Sequence, residues 1–201
     1  RFEIVPPVEG WRDPCRQILR TSGRSGGPVF LGDELAAACA PASEQGRSHG
    51  NSPGWRLPDV WAALDTVLAR CDPHCAVLLI GGADLPTGHP ERTDFEANYT
   101  MLIRRLISAG CLPIPATLPP CSHLEPFAWM YNAVIAQAAC LHRLPLIDLC
   151  ERMRPGFTPI HNEPADAKTP RPESIAANRF AEGHAPIVAA DLREILDKLD
   201  A

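Results

Sequence analysis

Two adjacent carboxylates occupy the position in this sequence that is best suited to chemistry. Asp33 and Glu34 follow the apolar residues 29–31 and precede the helix-forming residues 35–38. Because Gly32 permits a sharp turn, the pattern predicts a short buried strand, a turn and a helix. Such a junction places the Glu34 side chain at the carboxyl edge of a parallel sheet, where open α/β sheets bind ligands. A carboxylate at that edge can act as a general acid or base.

Two histidines are further candidates for proton transfer. His123 follows residues 112–117, which are expected to form a strand, so it should lie at the same edge of the sheet. His161 lies within residues 154–172, a long Pro-rich stretch of the kind that often carries function or closes over a site. Imidazole titrates near neutral pH and suits such a role. A histidine exposed on a surface loop is the simpler interpretation of each.

Alternating apolar runs and amphipathic segments position these residues. Continuous apolar runs predict buried parallel strands, and apolar side chains at helical spacing predict helices that cover them. Strands are expected at residues 29–31, 76–80, 112–117 and 144–148, and helices at residues 57–68, 93–107, 127–142 and 188–199. Strands that alternate with helices in this way indicate an α/β fold with a mostly parallel sheet.

The first part of the chain is set apart from this alternation. Residues 1–27 are expected to form an N-terminal arm with a short helix near residues 13–20 and a flexible link to the first strand. Residues 28–201 then form a single α/β domain. The exposed aromatic residues of the arm, Phe2 or Trp11, could contact a protein partner.

Composition excludes several classes of protein. The chain has 201 residues, a net charge of −5 and no run of Lys or Arg, so a nucleic-acid partner is not expected. No apolar run approaches the roughly 18 residues that a membrane span requires. A cytoplasmic location is expected, although a chain that begins at Arg1 is also compatible with a removed leader.

The cysteines are interpreted as small core residues. The sequence contains eight of them, scattered through apolar segments. Cys71, His74 and Cys75 are ligand types placed close together, but a zinc site needs four ligands and no second pair stands at suitable spacing. Neither a metal nor another cofactor is expected.

The turn at Gly32 and Asp33 resembles the first block of the SGNH (GDSL) hydrolases, in which a strand is followed by Gly-Asp-Ser-Leu and the Ser is the nucleophile. The segment Gly50-Asn51-Ser52-Pro53-Gly54 resembles the glycine-bearing second block, and Gly81-Gly82-Ala83-Asp84 resembles the third. The resemblance covers about residues 28–199, and residues 172–182 resemble the helix that follows the family's final block. It implies a three-layer α/β/α sandwich with a flavodoxin-like, mostly parallel sheet, in which the poorly patterned residues 42–51 stand where the second strand belongs.

The same resemblance implies that the catalytic set is replaced. The nucleophilic Ser corresponds to Glu34, the oxyanion-binding Asn to Ala83, the Asp to Lys168 and the His to Arg171, which leaves only the backbone N–H at Gly54. A serine mechanism needs a hydroxyl and a neighbouring base. Arg171 stays protonated at physiological pH, so ordinary ester hydrolysis is not expected.

Four interpretations remain open. An ion pair between Glu34 and Arg171 could fill a site that has lost its catalytic activity. The cleft could instead bind a small polar or acyl-bearing molecule, with Asp33, Glu34 or His123 acting in elimination, cyclisation or acyl transfer. The chain could be an esterase that uses substitute residues, or a non-catalytic interaction module. Further candidate binding residues are Asn51, Gly54, Gly82, Asp84, His161 and Lys168.

Overall fold

A computed structural model describes residues 10–85, 92–120, 125–153 and 172–200. Its strands are β1 (Val29–Gly32), β2 (Cys75–Leu79) and β3 (Leu112–Pro115). Its helices are α1 (Arg12–Ser22), α2 (Glu34–Cys39), α3 (Leu57–Cys71), α4 (Arg92–Ser108), α5 (Glu125–Leu141), α6 (Leu149–Met153) and α7 (Pro172–Asp200). Two short 3₁₀ helices, Ala42–Glu44 and Arg47–His49, lie between α2 and α3.

The three strands form a parallel sheet in the order β1-β2-β3. Phe30 pairs with Val77, and Val77 pairs with Ile114. Every residue of the three strands is buried, which explains why the strands are continuous apolar runs rather than alternating ones. The strand expected at residues 144–148 is reduced to one bridge, in which Ile147 pairs with Ala116.

The other edge of the sheet carries no full strand in the described part of the chain. There β1 meets its neighbour only at Gly32, which pairs with Asn51 in a single parallel bridge. The 3₁₀ helices occupy the preceding residues. This agrees with the expectation that the segment around residues 42–51 is too polar to make a regular second strand.

The helices pack in two groups. In one group, α1, α2 and α6 each contact α7, and in the other, α3 and α5 each contact α4. A buried core fills the space between helices and sheet; its largest fully buried side chains include Leu31, Leu78, Ile80, Tyr99, Leu102 and Ile114. The expected α/β fold with a three-layer arrangement is confirmed.

The described part of residues 1–27 packs on this core. Cys15 in α1 is fully buried, and Arg16 donates hydrogen bonds to the carbonyls of Lys198 and Leu199 at the end of α7. Residues 172–200 form one helix with Pro186 inside it, where the sequence suggests two segments. Among the described residues, no helix combines the length and the apolar character needed to cross a bilayer.

Candidate active site

The corner between β1 and α2 is built from two residues with demanding geometry. Gly32 has a φ of +143°, and a Cβ at this position would lie 1.9 Å from the carbonyl oxygen of Leu79 on β2. Only glycine fits there. Asp33 follows as the N-cap of α2, where its Oδ1 accepts a hydrogen bond of 2.9 Å from the backbone N–H of Leu35. The corner therefore begins α2 at Glu34.

Glu34 projects from this corner toward the turn before α3. Its side chain is exposed, and Oε2 accepts a hydrogen bond of 3.0 Å from the backbone N–H of Gly54. Gly54 has a φ of +73°, a left-handed conformation that glycine adopts without strain. A carboxylate and a backbone donor separated by 20 residues in sequence thus meet at the edge of the sheet.

Asp33 is enclosed, in contrast to its neighbour. It is only 1% exposed, and a Cβ added at Gly82 would lie 2.9 Å from its Oδ2. Burial, together with the negative charges of Glu34 and Asp84, raises the pKa of Asp33 to about 7, although hydrogen bonds from the backbone N–H groups of Leu35 and Ala83 oppose the shift. Asp33 therefore changes its charge near neutral pH.

Asp84 connects the loop after β2 to the start of α3. Both of its carboxylate oxygens lie 3.2 Å from the backbone nitrogen of Leu57, which donates to them. Burial raises the pKa of this carboxyl group. Its position explains why α3 begins beside the site, because the carboxylate satisfies a backbone donor in the first turn of the helix.

Asn51 supports the loop rather than facing a ligand. It is buried, and its Nδ2 donates to the carbonyls of Phe30 and Glu44 at 3.1 and 3.2 Å. Its Oδ1 accepts from the backbone N–H of Gly46 at 2.9 Å. The side chain is therefore fully used by three backbone partners.

Two buried residues next to the site are absent from the set predicted from sequence. Tyr131 is 2% exposed, its ring lies 4.1 Å from that of Phe95, and its hydroxyl has no hydrogen-bond partner among the described residues. Burial and the charge of Asp84 raise the pKa of Tyr131 to about 12, so the phenol stays protonated. His184 on α7 is buried, and its Nε2 lies 2.9 Å from the carbonyl of Leu35.

These two contacts could not be found from sequence spacing. Tyr131 belongs to an apolar helix, in which an aromatic residue is ordinarily interpreted as part of the hydrophobic core. His184 lies about 150 residues after Leu35, its partner. Only the packing of α7 on α2 brings His184 to the corner.

The structure brings together five of the candidate residues, namely Asp33, Glu34, Gly54, Gly82 and Asp84. It assigns Asn51 to the support of the loop. His123, His161, Lys168 and Arg171 lie outside the described residues, so the ion pair between Glu34 and Arg171 stays a prediction. Within the described ranges, no three His, Cys, Asp or Glu side chains are grouped so that they could hold a metal ion.

Comparison with solved structures shows the same fold in several esterases. An acetyl xylan esterase, AlAXEase, aligns with a TM-score of 0.55 at 16% identity, covering 78% of this chain and 96% of the other. The psychrotrophic esterase EstA from Pseudoalteromonas sp. aligns with a TM-score of 0.57 at 16% identity, covering 87% and 98%. A lipase/acylhydrolase from Enterococcus faecalis aligns with a TM-score of 0.54 at 18% identity, covering 81% and 96%.

At these identities the structural likeness concerns the fold alone. No curated protein matches the chain by sequence. The profile of one protein family, however, matches residues 8–198, which is nearly the whole chain. The protein therefore belongs to the GDSL-like lipase/acylhydrolase family.

Proposed function

We propose that this GDSL-like protein does not hydrolyse esters by a serine mechanism, and that its sheet-edge site binds a small polar molecule through Glu34. The observation that carries the proposal is the hydrogen bond of 3.0 Å from the Gly54 N–H to Glu34 Oε2. It supports a pseudo-hydrolase because the residue at the start of α2 offers a carboxylate where the family resemblance places an attacking hydroxyl.

The electrostatics of this contact argue against stabilisation of an oxyanion. Acyl transfer requires free hydrogen-bond donors directed at the oxygen that becomes negative in the transition state. The Gly54 N–H is already used by a carboxylate. A second negative oxygen beside it would be repelled, by about 1–4 kcal/mol for charges roughly 4 Å apart near a protein surface.

The same groups suit a ligand that donates hydrogen bonds. The exposed carboxylate of Glu34 can accept from a hydroxyl, amide or ammonium group. Asp33, with a pKa of about 7 in a buried position directly behind it, can hold or release a proton near neutral pH. If the bound molecule is transformed, these carboxyl groups favour a proton-transfer step such as elimination or cyclisation.

A carboxylate-dependent esterase is the second candidate, and the family membership favours it. In that mechanism Glu34 would act as a general base on water instead of as a nucleophile. The two candidates differ in whether the protein turns over simple esters at all.

The test measures hydrolysis of short-chain aryl esters by the wild type, by Glu34→Ala and by Glu34→Ser. We expect no rate above buffer for the wild type and for Glu34→Ala. Glu194→Ala, which removes an exposed carboxylate from α7, is the matched control. Turnover by the wild type that Glu34→Ala abolishes and the control retains would establish the esterase and overturn the pseudo-hydrolase.

A second measurement tests the contact itself. The amide proton of Gly54 should shift upfield in NMR spectra when Glu34→Ala removes its acceptor, while amides near Glu194 stay unchanged. A Gly54 amide that does not respond would mean that the carboxylate does not occupy this donor in solution, and the proposal would lose its main support.

A further inference from the structure

A cavity opens at the other end of β1, away from Glu34. It has a volume of about 230 Å³, and its lining includes Val29 and Phe30, which are both buried. Its walls include Ala40 at the end of α2, Arg70 at the end of α3, and Glu44 and His49 from the two 3₁₀ helices. The cavity exists because no strand of the described chain covers this part of the sheet edge.

The backbone of β1 directs one N–H group toward this open edge of the sheet. Successive residues of a strand direct their N–H and C=O groups to opposite sides. The N–H of Gly32 donates to the Gly50 carbonyl, and the carbonyl of Gly32 accepts from the Ser52 N–H, both on the outer side of β1. Because Phe30 lies two residues earlier, its N–H and C=O groups face the same outer side. The Phe30 carbonyl accepts from Asn51 Nδ2, whereas no acceptor for its N–H is found among the described residues.

Side chains of opposite charge line the same cavity. Arg70 and Glu44 both line the cavity, but they form no ion pair with each other, and neither pairs with another charge in the described ranges. His49 Nδ1 lies 3.2 Å from the Ser48 hydroxyl, which leaves its Nε2 available. As far as the described residues show, the lining thus combines a cation and an anion outside any ion pair, a backbone donor at the sheet edge, and several apolar residues.

We infer that this cavity binds a free α-amino acid with an apolar side chain. The carboxylate of such a zwitterion would accept from the Phe30 N–H and face Arg70, its ammonium group would face Glu44, and its side chain would lie against the apolar residues of the lining. The volume is below the roughly 300–1,000 Å³ of sites for drug-sized ligands, which restricts the occupant to a molecule of this size. The site is independent of the function proposed for Glu34.

The test compares three probes by two-dimensional NMR: L-leucine, L-leucinamide, which lacks the carboxylate, and N-acetyl-L-leucine, which lacks the ammonium group. Leucine at up to about 10 mM should shift the amides of Phe30 and His49 and should bind more tightly than either analogue. Arg70→Ala should weaken the binding of leucine about fivefold without affecting the binding of leucinamide. Glu44→Gln should weaken the binding of leucine by a similar factor without affecting the binding of N-acetyl-leucine. Arg193→Ala on α7 is the charge-matched control.

Each other outcome overturns the inference. Absence of shifts at Phe30 and His49 would show that the cavity does not take the amino acid. Equal binding of all three probes would show that the charges do not select the ligand. A loss of affinity in Arg193→Ala as large as that in Arg70→Ala would show that net charge alone is responsible.

Discussion

Asp33 and Glu34 are adjacent in sequence and carry the same functional group, but they face different environments. Glu34 is exposed and accepts one hydrogen bond from a backbone N–H, whereas Asp33 is buried as a helix cap. Two carboxyl groups in such different surroundings can hold different protonation states at one pH. At the scale of the residue, this division of roles is the main chemical feature of the site.

The buried carboxyl group predicts how stability depends on pH. The pKa of Asp33 rises from 3.8 to about 7 on folding, so the folded state binds a proton that the unfolded state has lost. The free energy of unfolding should therefore fall as pH rises from about 4 to about 7, by on the order of 4 kcal/mol from this group. Asp33→Asn should remove that part of the slope in urea denaturation measured at several pH values.

The control for Asp33→Asn is Asp13→Asn, since the Asp13 side chain is 93% exposed. In Asp13→Asn, the free energy of unfolding should depend on pH as it does in the wild type, without the change in slope expected for Asp33→Asn. A wild-type slope that Asp33→Asn leaves unchanged would mean that Asp33 titrates in the folded protein much as it does in the unfolded chain.

Gly32 sets the direction of the corner that presents Glu34. Because an added Cβ would lie 1.9 Å from a backbone oxygen of the neighbouring strand, Gly32→Ala should destabilise the protein by more than about 3 kcal/mol. Gly27→Ala is the matched control, since a Cβ there meets nothing within 4 Å. Thermal unfolding of both variants checks the prediction, and equal melting temperatures would contradict it.

At the scale of the element, one side chain replaces part of a missing strand. Asn51 donates to the Phe30 carbonyl, which a neighbouring strand would otherwise satisfy, and it also ties together the loop between α2 and α3. The sheet edge at β1 is thereby held by a side-chain amide and one backbone bridge.

Asn51→Ala should destabilise the protein by roughly 3 kcal/mol, because it leaves three buried or half-buried backbone groups without partners. Asn51→Asp keeps the acceptor for the Gly46 N–H but loses both donors, so it should also be less stable than the wild type. Chemical denaturation of the wild type and of both variants measures these differences in the free energy of unfolding. Wild-type stability in Asn51→Ala would show that water replaces the lost bonds at no cost.

Sequence predicted the regular elements better than the irregular ones, for a physical reason. The continuous apolar run at residues 76–80 and the periodic residues 57–68 specify burial directly, and β2 and α3 form there. The 3₁₀ helices and the role of Asn51 depend on contacts between backbone groups that sequence patterns do not encode. The corner at Asp33 and Glu34 could be predicted because a glycine turn between an apolar run and helix formers is local.

The partners of the site residues depend on the tertiary fold. Nothing in the spacing of Glu34 and Gly54 specifies a hydrogen bond, and nothing near His184 points to Leu35. The same limit applies to the arm expected at residues 1–27, whose composition suggests a flexible link while its described part makes specific contacts with the core.

At the scale of the whole molecule, two arginines within residues 1–27 attach this N-terminal segment to the rest of the protein. Arg16 Nε and Nη2 donate to the carbonyls of Leu199 and Lys198 at 2.9 and 3.1 Å. Arg24 donates to the carbonyls of Ala109 and Leu68 and to the carboxylate of Asp72. These contacts join α1 to the end of α7 and the following link to the ends of α3 and α4.

If these contacts are structural, the chain from residue 28 onward should be less stable than the full chain. Arg24→Ala should lower the free energy of unfolding by about 2–3 kcal/mol, because two carbonyls and a carboxylate lose a charged donor. Arg20→Ala, an exposed position in the last turn of α1, should change it by less than about 0.5 kcal/mol. If a protein lacking residues 1–27 melts at the temperature of the full chain, the segment is an independent arm. If its melting temperature is lowered, as that of Arg24→Ala should be, the segment belongs to the folding unit.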